Sequence, residues 1–212
     1  MPSLDGIFRV TCLISLLTKQ VEVLTKIMPY ILASASPRRK ELLAQILPEF
    51  EIIPAKKEEK VNPALFPEQV VCALAESKCD EVFENNRGAT VIGCDTIVVF
   101  GNEILGKPKN CEDAFNTLKM LSGQTHFVIT AVCVRNKHKK IVEFDRTEVK
   151  FNVLSDDFIK TYVDSGSPLD KAGSYGIQDG GLVKEYFGDY TNVVGLPVPL
   201  TKKLLEKVKE DV

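Results

Sequence analysis

The order of apolar and polar residues predicts an α/β fold for this chain of 212 residues. In the first half, short apolar runs alternate with segments of helical periodicity, which is the pattern of strands followed by helices. The apolar run at 90–100 has the composition of a central strand that is covered on both faces. Two long strand-like segments, at 127–134 and 141–153, flank a polar turn and predict an antiparallel hairpin. The length suits one domain, or two lobes that share a sheet.

The balance of charges indicates a small partner rather than nucleic acid or a membrane. The formal net charge is −2, so no overall field attracts polyanions, and any anion must be bound by a local cluster. The six cysteines form no Cys-x-x-Cys pair, and neither His126 nor His138 lies near them at the spacing of metal ligands. We therefore expect no zinc site, and reduced thiols in a cytoplasmic protein.

Residues 1–28 are predicted to be an N-terminal extension of uncertain role, and residues 29–212 the compact domain. The uncharged run between Arg9 and Lys19 is nine residues long, whereas a membrane-spanning helix needs about 20 apolar residues, so no anchor is expected. The apolar centre and the scarcity of acids fit a weak secretory or mitochondrial presequence, although no small-residue cleavage site follows. Met28 is equally suited to begin the domain.

The stretch Ser34-Ala35-Ser36-Pro37-Arg38-Arg39 has the features of a strand-to-helix turn that binds an anion. Ser36 suits the N-cap, and Pro37 suits the first helical position, where its missing N–H has no cost. Backbone N–H groups, the positive end of the helix dipole, two hydroxyls and two guanidinium groups would then converge, as a polyphosphate requires. An ordinary capped helix with solvated arginines is the alternative.

Asp95 is the second candidate because it lies in the middle of the apolar run at 90–100. Burial of a carboxylate without a partner is costly, so this one must meet a cation, a metal ion or hydrogen-bond donors, or take up a proton. Each of these outcomes is useful in a catalytic cleft. A structural aspartate that is satisfied by backbone donors is the alternative.

Two lysines are candidates whose role depends on the fold. Lys78 lies on a predicted helix at 67–84 and points either to water or across a cleft. Lys107 follows a glycine and precedes a proline that halts a strand, so it can approach a bound ligand closely. Neither belongs to a P-loop, because the sequence lacks the Gly-x-x-x-x-Gly-Lys-Ser/Thr pattern.

The glycine-rich segment 166–181 predicts a loop whose backbone approaches a ligand, or otherwise a flexible surface loop. Within it, Gln178 carries both a donor and an acceptor, which suffices to read the edge of a base. The charged run at 56–60 is typical of a solvated surface.

Five ordered motifs resemble those of the Maf family of nucleoside triphosphate pyrophosphatases. They are the stretch 34–39, Gly93-Cys94-Asp95-Thr96, Gly106-Lys107-Pro108, the segment 171–178 and the segment 192–197. The resemblance extends essentially from Tyr30 to the C-terminus. It implies a mixed twisted central sheet flanked by helices, with two lobes and a nucleotide cleft, similar to inosine triphosphate pyrophosphatases. It also implies a homodimer.

The resemblance further implies hydrolysis of a nucleoside triphosphate between the α and β phosphates, with Mg²⁺ or Mn²⁺ as the cofactor. Asp95 would be the general base for the attacking water and a metal ligand, and Glu59 would add a second carboxylate to the metal. Lys78 and Lys107 would neutralise the charge that develops on the leaving pyrophosphate. The other groups that would bind the triphosphate are those of Ser34, Ser36, Arg38 and Arg39.

The choice of base is also implied by the resemblance. A threonine after the aspartate, together with Tyr-Gly-Ile-Gln, is similar to the subgroup that acts on dTTP and UTP, and Arg38, Thr96 and Gln178 would select the base. Two departures from the family pattern are present. Lys56-Lys57-Glu58 replaces an acidic stretch, which makes Glu58 an alternative to Glu59, and Asp179 stands where glycine is usual.

Two other functions are compatible with these motifs. One is a catalytically weak, nucleotide-binding regulator of cell division. The other is a phosphatase or transferase that cleaves a different bond, which the identity of the products would reveal.

Overall fold

The computed structural model describes residues 29–57 and 64–209. The interpretations of the extension 1–28, of Glu58 and of Glu59 lie outside the described residues and stay predictions. Within the described chain, the sequence motifs fall on one continuous sheet, on the helices that flank it and on the loops between them.

One sheet of seven strands organises the described residues. The strands are β1 (Tyr30–Leu32), β2 (Glu51–Ile52), β3 (Thr90–Phe100), β4 (Glu103–Leu105), β5 (Thr125–Arg135), β6 (Lys140–Phe151) and β7 (Val183–Phe187). Their order is β2-β1-β3-β5-β6-β7, and β4 pairs with β3. Because β1 is parallel to β2 and β3 while the other pairs are antiparallel, the sheet is mixed.

Helices flank this sheet. They are α1 (Pro37–Ala44), α2 (Pro67–Asn85), α3 (Cys111–Leu121), α4 (Asp156–Asp164), α5 (Tyr190–Val194) and α6 (Val198–Lys209), and single 3₁₀ turns occur at Ser167–Asp170, Ala172–Ser174 and Ile177–Asp179. In the part of the chain that the structure describes, no helix combines the length and the apolar character that crossing a membrane requires.

The two elements that the sequence indicated most clearly have the predicted form. The apolar run at 90–100 is the central strand β3, and nine of its eleven residues are buried. Strands β5 and β6 pair continuously from Thr125 opposite Lys150 to Arg135 opposite Lys140, which confirms the hairpin.

The core is divided by the alternation of β3, whose successive side chains face opposite sides of the sheet. Val91 and Ile97 pack with α2 on one face, whereas Ile92 and Cys94 pack with α1 and α6 on the other. Farther along the same strand, Val98 belongs to a third core with α3 and α4. The three cores thus lie along the one strand β3.

Candidate active site

A cleft opens beside an uncovered part of the edge of β3. β5 covers one edge of this strand along residues 91–99. On the other edge, β1 pairs with residues 90–92 and β4 with residues 98–100. Residues 93–97 are therefore left without a strand partner on that edge in the described chain. The cleft has a volume of about 720 Å³, and Asp95 lies on its wall.

Asp95 and Lys78 form an ion pair in this cleft. Asp95 is only 7 % exposed, and the ammonium of Lys78 contacts its Oδ1. Of the two orientations that the sequence left open for Lys78, the structure has the one across the cleft. The carboxylate thereby has the counter-charge that its burial requires.

Gly93 brings the helix of Lys78 close to the strand of Asp95. A Cβ at residue 93 would lie 2.6 Å from the carbonyl oxygen of Ala75 and 2.7 Å from the Cβ of Cys79, both on α2. Residues 93 and 95 face the same side of β3. The absence of a side chain at Gly93 therefore sets the distance at which Lys78 meets Asp95.

The turn between β1 and α1 has the local structure that the sequence predicts. Ser36 is the N-cap, its hydroxyl accepts from the N–H of Arg39 at 3.5 Å, and Pro37 begins the helix. The hydroxyl of Ser34 accepts from the N–H of Ser36 at 3.3 Å. The whole turn lines the cleft.

Arg39 is bound mainly to the protein itself. Its Nη1 donates to the carbonyl of Cys94 at 3.0 Å and to Ser34 Oγ at 3.3 Å. Its Nε donates to the carbonyl of Gly195 at 2.8 Å, and its Nη2 to Thr96 Oγ1 at 3.0 Å. Because Cys94 lies in the uncovered part of β3, the guanidinium supplies a donor where a neighbouring strand is missing. The expected contact of Arg39 with phosphate stays a prediction.

Arg38, in contrast, reaches the opposite wall of the cleft. Its Nη1 donates to Asp170 Oδ2 at 3.2 Å, and Asp170 Oδ1 accepts from Lys171 Nζ at 2.9 Å. Burial by itself would raise the pKa of Asp170, but Lys171 and Arg38 together hold it below its usual value. The ion pair thus joins the N-terminus of α1 to the glycine-rich loop.

All of the predicted site residues that lie in the described chain line this one cleft. They are Ser34, Ser36, Arg38, Arg39, Lys78, Asp95, Thr96, Lys107 and Gln178. Thr96 is less open to a ligand than expected, because its hydroxyl also contacts Thr130 Oγ1 at 3.0 Å. Gln178 lies on the last 3₁₀ turn, and Lys107 lies in the exposed loop after β4.

Two charged residues of the cleft were not singled out from the sequence. Asp170 and Lys171 line it from the glycine-rich loop. The sequence does show two adjacent opposite charges within that loop. It does not show that Asp170 contacts Arg38 of α1, because this contact joins distant parts of the chain. With Lys171, the described lining has five cationic side chains against the two carboxylates of Asp95 and Asp170. This excess suits a polyanion.

A divalent metal ion such as Mg²⁺ needs several oxygen ligands, and the described lining of the cleft offers two carboxylates. Within the described ranges, no group of three or more His, Cys, Asp and Glu side chains could hold a metal. Both carboxylates of the cleft are already ion-paired, Asp170 with Arg38 and Lys171, and Asp95 with Lys78. Mg²⁺ is commonly bound by one or two carboxylates together with the phosphates of a substrate. The described residues alone therefore do not make a metal site, and a cation there would depend on oxygens of the bound nucleotide.

Comparison with known proteins gives consistent matches over the domain. The sequence model of the family described as Maf-like protein matches residues 29–208. The dTTP/UTP pyrophosphatase of Aquifex aeolicus is 47 % identical over 183 residues, which cover 85 % of this chain and 96 % of the relative. The dTTP/UTP pyrophosphatase of Thermococcus kodakarensis is 48 % identical over 179 residues, which cover 83 % of this chain and 95 % of the relative.

Among solved structures, the Staphylococcus aureus Ham1 protein has a TM-score of 0.46 at 16 % identity, and the match covers 84 % of this chain and 98 % of that one. The family match and the curated relatives each extend over most of the chain. On these grounds the chain belongs to the Maf family.

Proposed function

We propose that this protein hydrolyses dTTP and UTP between the α and β phosphates, releasing the nucleoside monophosphate and pyrophosphate. The observation that carries the proposal is the buried carboxylate of Asp95, in contact with Lys78, on the wall of a cleft rich in cations. The relatives named dTTP/UTP pyrophosphatase support the same reaction.

In this proposal the phosphates lie between the α1 turn and the lysines. The N-terminus of α1 offers backbone N–H groups and the positive end of its dipole. Arg38, Lys78 and Lys107 line the cleft around it and would bind the phosphate oxygens. Arg39 contributes mainly by holding Ser34 and Thr96 in place.

Asp95 would act as the general base. It accepts a proton from water, the water oxygen bonds to the α phosphorus, and the bond from that phosphorus to the α–β bridging oxygen breaks. The leaving pyrophosphate carries the electron pair of that bond, and Lys78 and Lys107 stabilise its charge. Burial of Asp95 beside the open edge of β3 keeps bulk water away from the base while the cleft admits the substrate.

Asp95 is also the group that would hold a divalent cation, with Glu59 as the second carboxylate expected from the family. A bound Mg²⁺ or Mn²⁺ would withdraw charge from the phosphates and help to orient them. Base selection is assigned to Arg38, Thr96 and Gln178, and Gln178 can offer a donor to O4 and an acceptor to N3–H of a pyrimidine. A homodimer remains expected from the family and can be checked by light scattering.

Product analysis with a panel of nucleoside triphosphates and Mg²⁺ or Mn²⁺ tests this proposal. We expect monophosphate and pyrophosphate in equal amounts, fastest from dTTP and UTP. Inorganic phosphate as the first product would contradict the assignment of the bond. Tight nucleotide binding without turnover would instead favour a regulator.

A further inference from the structure

Gln178 lies in a loop that has little regular structure of its own. It is the middle residue of the 3₁₀ turn Ile177–Asp179, between Gly176 and Gly180. A side-chain amide has its donor on the nitrogen and its acceptor on the oxygen, so turning it over exchanges the two. To recognise O4 and N3–H of a pyrimidine, the amide must therefore be held in one orientation. The turn therefore needs support from outside the loop.

The hydroxyl of Tyr162 on α4 connects the two ends of this turn. The N–H of Gly176 donates to Tyr162 Oη at 3.2 Å, and Tyr162 Oη donates to Asp179 Oδ2 at 2.5 Å. One hydroxyl group thus binds residues on both sides of Gln178. Helix α4 is itself anchored in the core through Ile159 and Val163.

The carboxylate of Asp179 is held by further groups. Ser167 Oγ donates to the same Oδ2 at 2.8 Å, and Lys171 Nζ lies 3.9 Å from it. The side chain of Asp179 is 20 % exposed. Burial and the neighbouring Asp179 raise the pKa of Tyr162 above its ordinary value, so its hydroxyl keeps the proton that it donates.

Gly176 leaves the space that this arrangement needs. A Cβ at residue 176 would lie 2.7 Å from Gln178 Nε2 and 2.9 Å from Asp179 Oδ2. The amide of Gln178 is therefore folded back over the start of its own turn, beside the carboxylate that Tyr162 binds.

We propose that Tyr162 and Asp179 are specificity-determining positioning residues, which hold the Gln178 amide in the orientation that reads a uracil or thymine edge. This inference rests on the proposed hydrolysis of dTTP and UTP. Tyr162 and Asp179 act on the base through Gln178 and touch neither the phosphates nor the attacking water.

The first test is Tyr162→Phe, which keeps the ring and removes the hydroxyl. We expect the ratio of kcat/KM for UTP over CTP to fall about tenfold, as for the loss of a hydrogen bond to a charged group, mainly through a higher KM for UTP. Tyr186→Phe, at an exposed position of β7, is the matched control and should leave the ratio unchanged. A wild-type ratio in Tyr162→Phe would overturn the inference.

The second test is a double-mutant cycle with Gln178→Ala. If Tyr162 acts through Gln178, Tyr162→Phe will not change the UTP/CTP ratio further in the Gln178→Ala background. An equal loss in both backgrounds would contradict the positioning role. Asp179→Asn retains an oxygen that can accept from Tyr162, so it should lower the UTP/CTP ratio less than Asp179→Ala does. An equal effect of these two variants would count against the hydrogen bond between Tyr162 and Asp179.

A binding measurement separates this inference from the proposed function. Calorimetric titration of the Asp95→Asn variant measures its affinities for UTP and CTP, so the preference for one base is compared without turnover. If the wild type hydrolyses neither dTTP nor UTP, the proposed function fails. If Asp95→Asn prefers UTP and adding Tyr162→Phe leaves that preference intact, the positioning role fails independently.

Discussion

The ammonium of Lys78 contacts a carboxylate oxygen of Asp95, although 17 residues separate them in the chain. One residue belongs to α2 and the other to β3, and Gly93 allows these elements to approach closely. The pair places a buried base candidate next to a cation that can also bind phosphate. This relationship leads to the first two predictions.

Asp95→Asn should abolish hydrolysis while nucleotide binding persists. The amide fills the same volume but cannot accept the proton of the attacking water, so we expect kcat to fall about a hundredfold or more. Steady-state kinetics with dTTP, together with calorimetric binding of the same nucleotide, measure both effects. Asp145→Asn, at a partly exposed position of β6, is the control, and near-normal turnover in Asp95→Asn would remove Asp95 as the base.

Gly93→Ala should destabilise the protein and reduce activity together. The added methyl group would overlap the backbone of α2, and overpacking of this kind costs about 1–3 kcal/mol. Gly88→Ala is the matched control, because a Cβ there meets no atom within 4 Å. Urea unfolding gives the change in the free energy of unfolding, and equal values for the two variants would contradict the close packing.

Arg39→Lys should destabilise the fold more than Arg38→Lys does. A lysine cannot reach the carbonyls of Cys94 and Gly195 together, and a partly buried acceptor left without a donor costs about 1–3 kcal/mol. Arg38 forms a single ion pair with the more exposed Asp170, so its replacement should cost less. Urea unfolding of both variants makes the comparison, and the reverse order would refute the structural role of Arg39.

Lys107→Met should raise the KM for dTTP roughly tenfold and leave the fold intact, because Lys107 lies in an exposed loop on the cleft. The effect should shrink at high salt, where exposed charges are screened. Lys109→Met, two residues farther along the same loop and also exposed, is the control. The assignment to phosphate binding fails if both variants have the same KM.

The free energy of unfolding should fall as the pH drops from 7.5 to 5.5, because of His126. This side chain is 1 % exposed and contacts the hydroxyl of Tyr175 at 2.7 Å, and burial lowers its pKa from 6.5 to about 4. Below pH 6.5 the unfolded chain binds a proton that the folded protein does not, so stability is lost as the pH falls. The expected loss over this interval is on the order of 1 kcal/mol.

Urea unfolding at both pH values measures this loss in the wild type and in His126→Gln. We expect the variant to lack most of the pH dependence, whatever its overall stability. His138→Gln is the control, because His138 is exposed in the turn between β5 and β6. If the free energy of unfolding changes equally with pH in the wild type and in His126→Gln, a group other than His126 titrates.

Local patterns were sufficient for much of the fold. The run at 90–100 is a strand, as its composition predicts, and Ser36 with Pro37 begins α1 at the predicted residue. The start of α1 depends on contacts between near neighbours, whereas β3 is covered by elements that are distant in the chain. Resemblance to the Maf family then identified the residues that line the cleft before any distance was known.

The sequence by itself therefore determined the central strand β3, the hairpin of β5 and β6, the start of α1, the family and the identity of the candidate base. Only the tertiary structure decided which cations are available for a ligand, because Arg38 and Arg39 are adjacent in the chain yet one crosses the cleft and the other is bound by β3. It also decided that Lys78 faces Asp95 and that Tyr162 holds the turn of Gln178. These contacts join residues that are distant along the chain, and no local periodicity encodes such pairs.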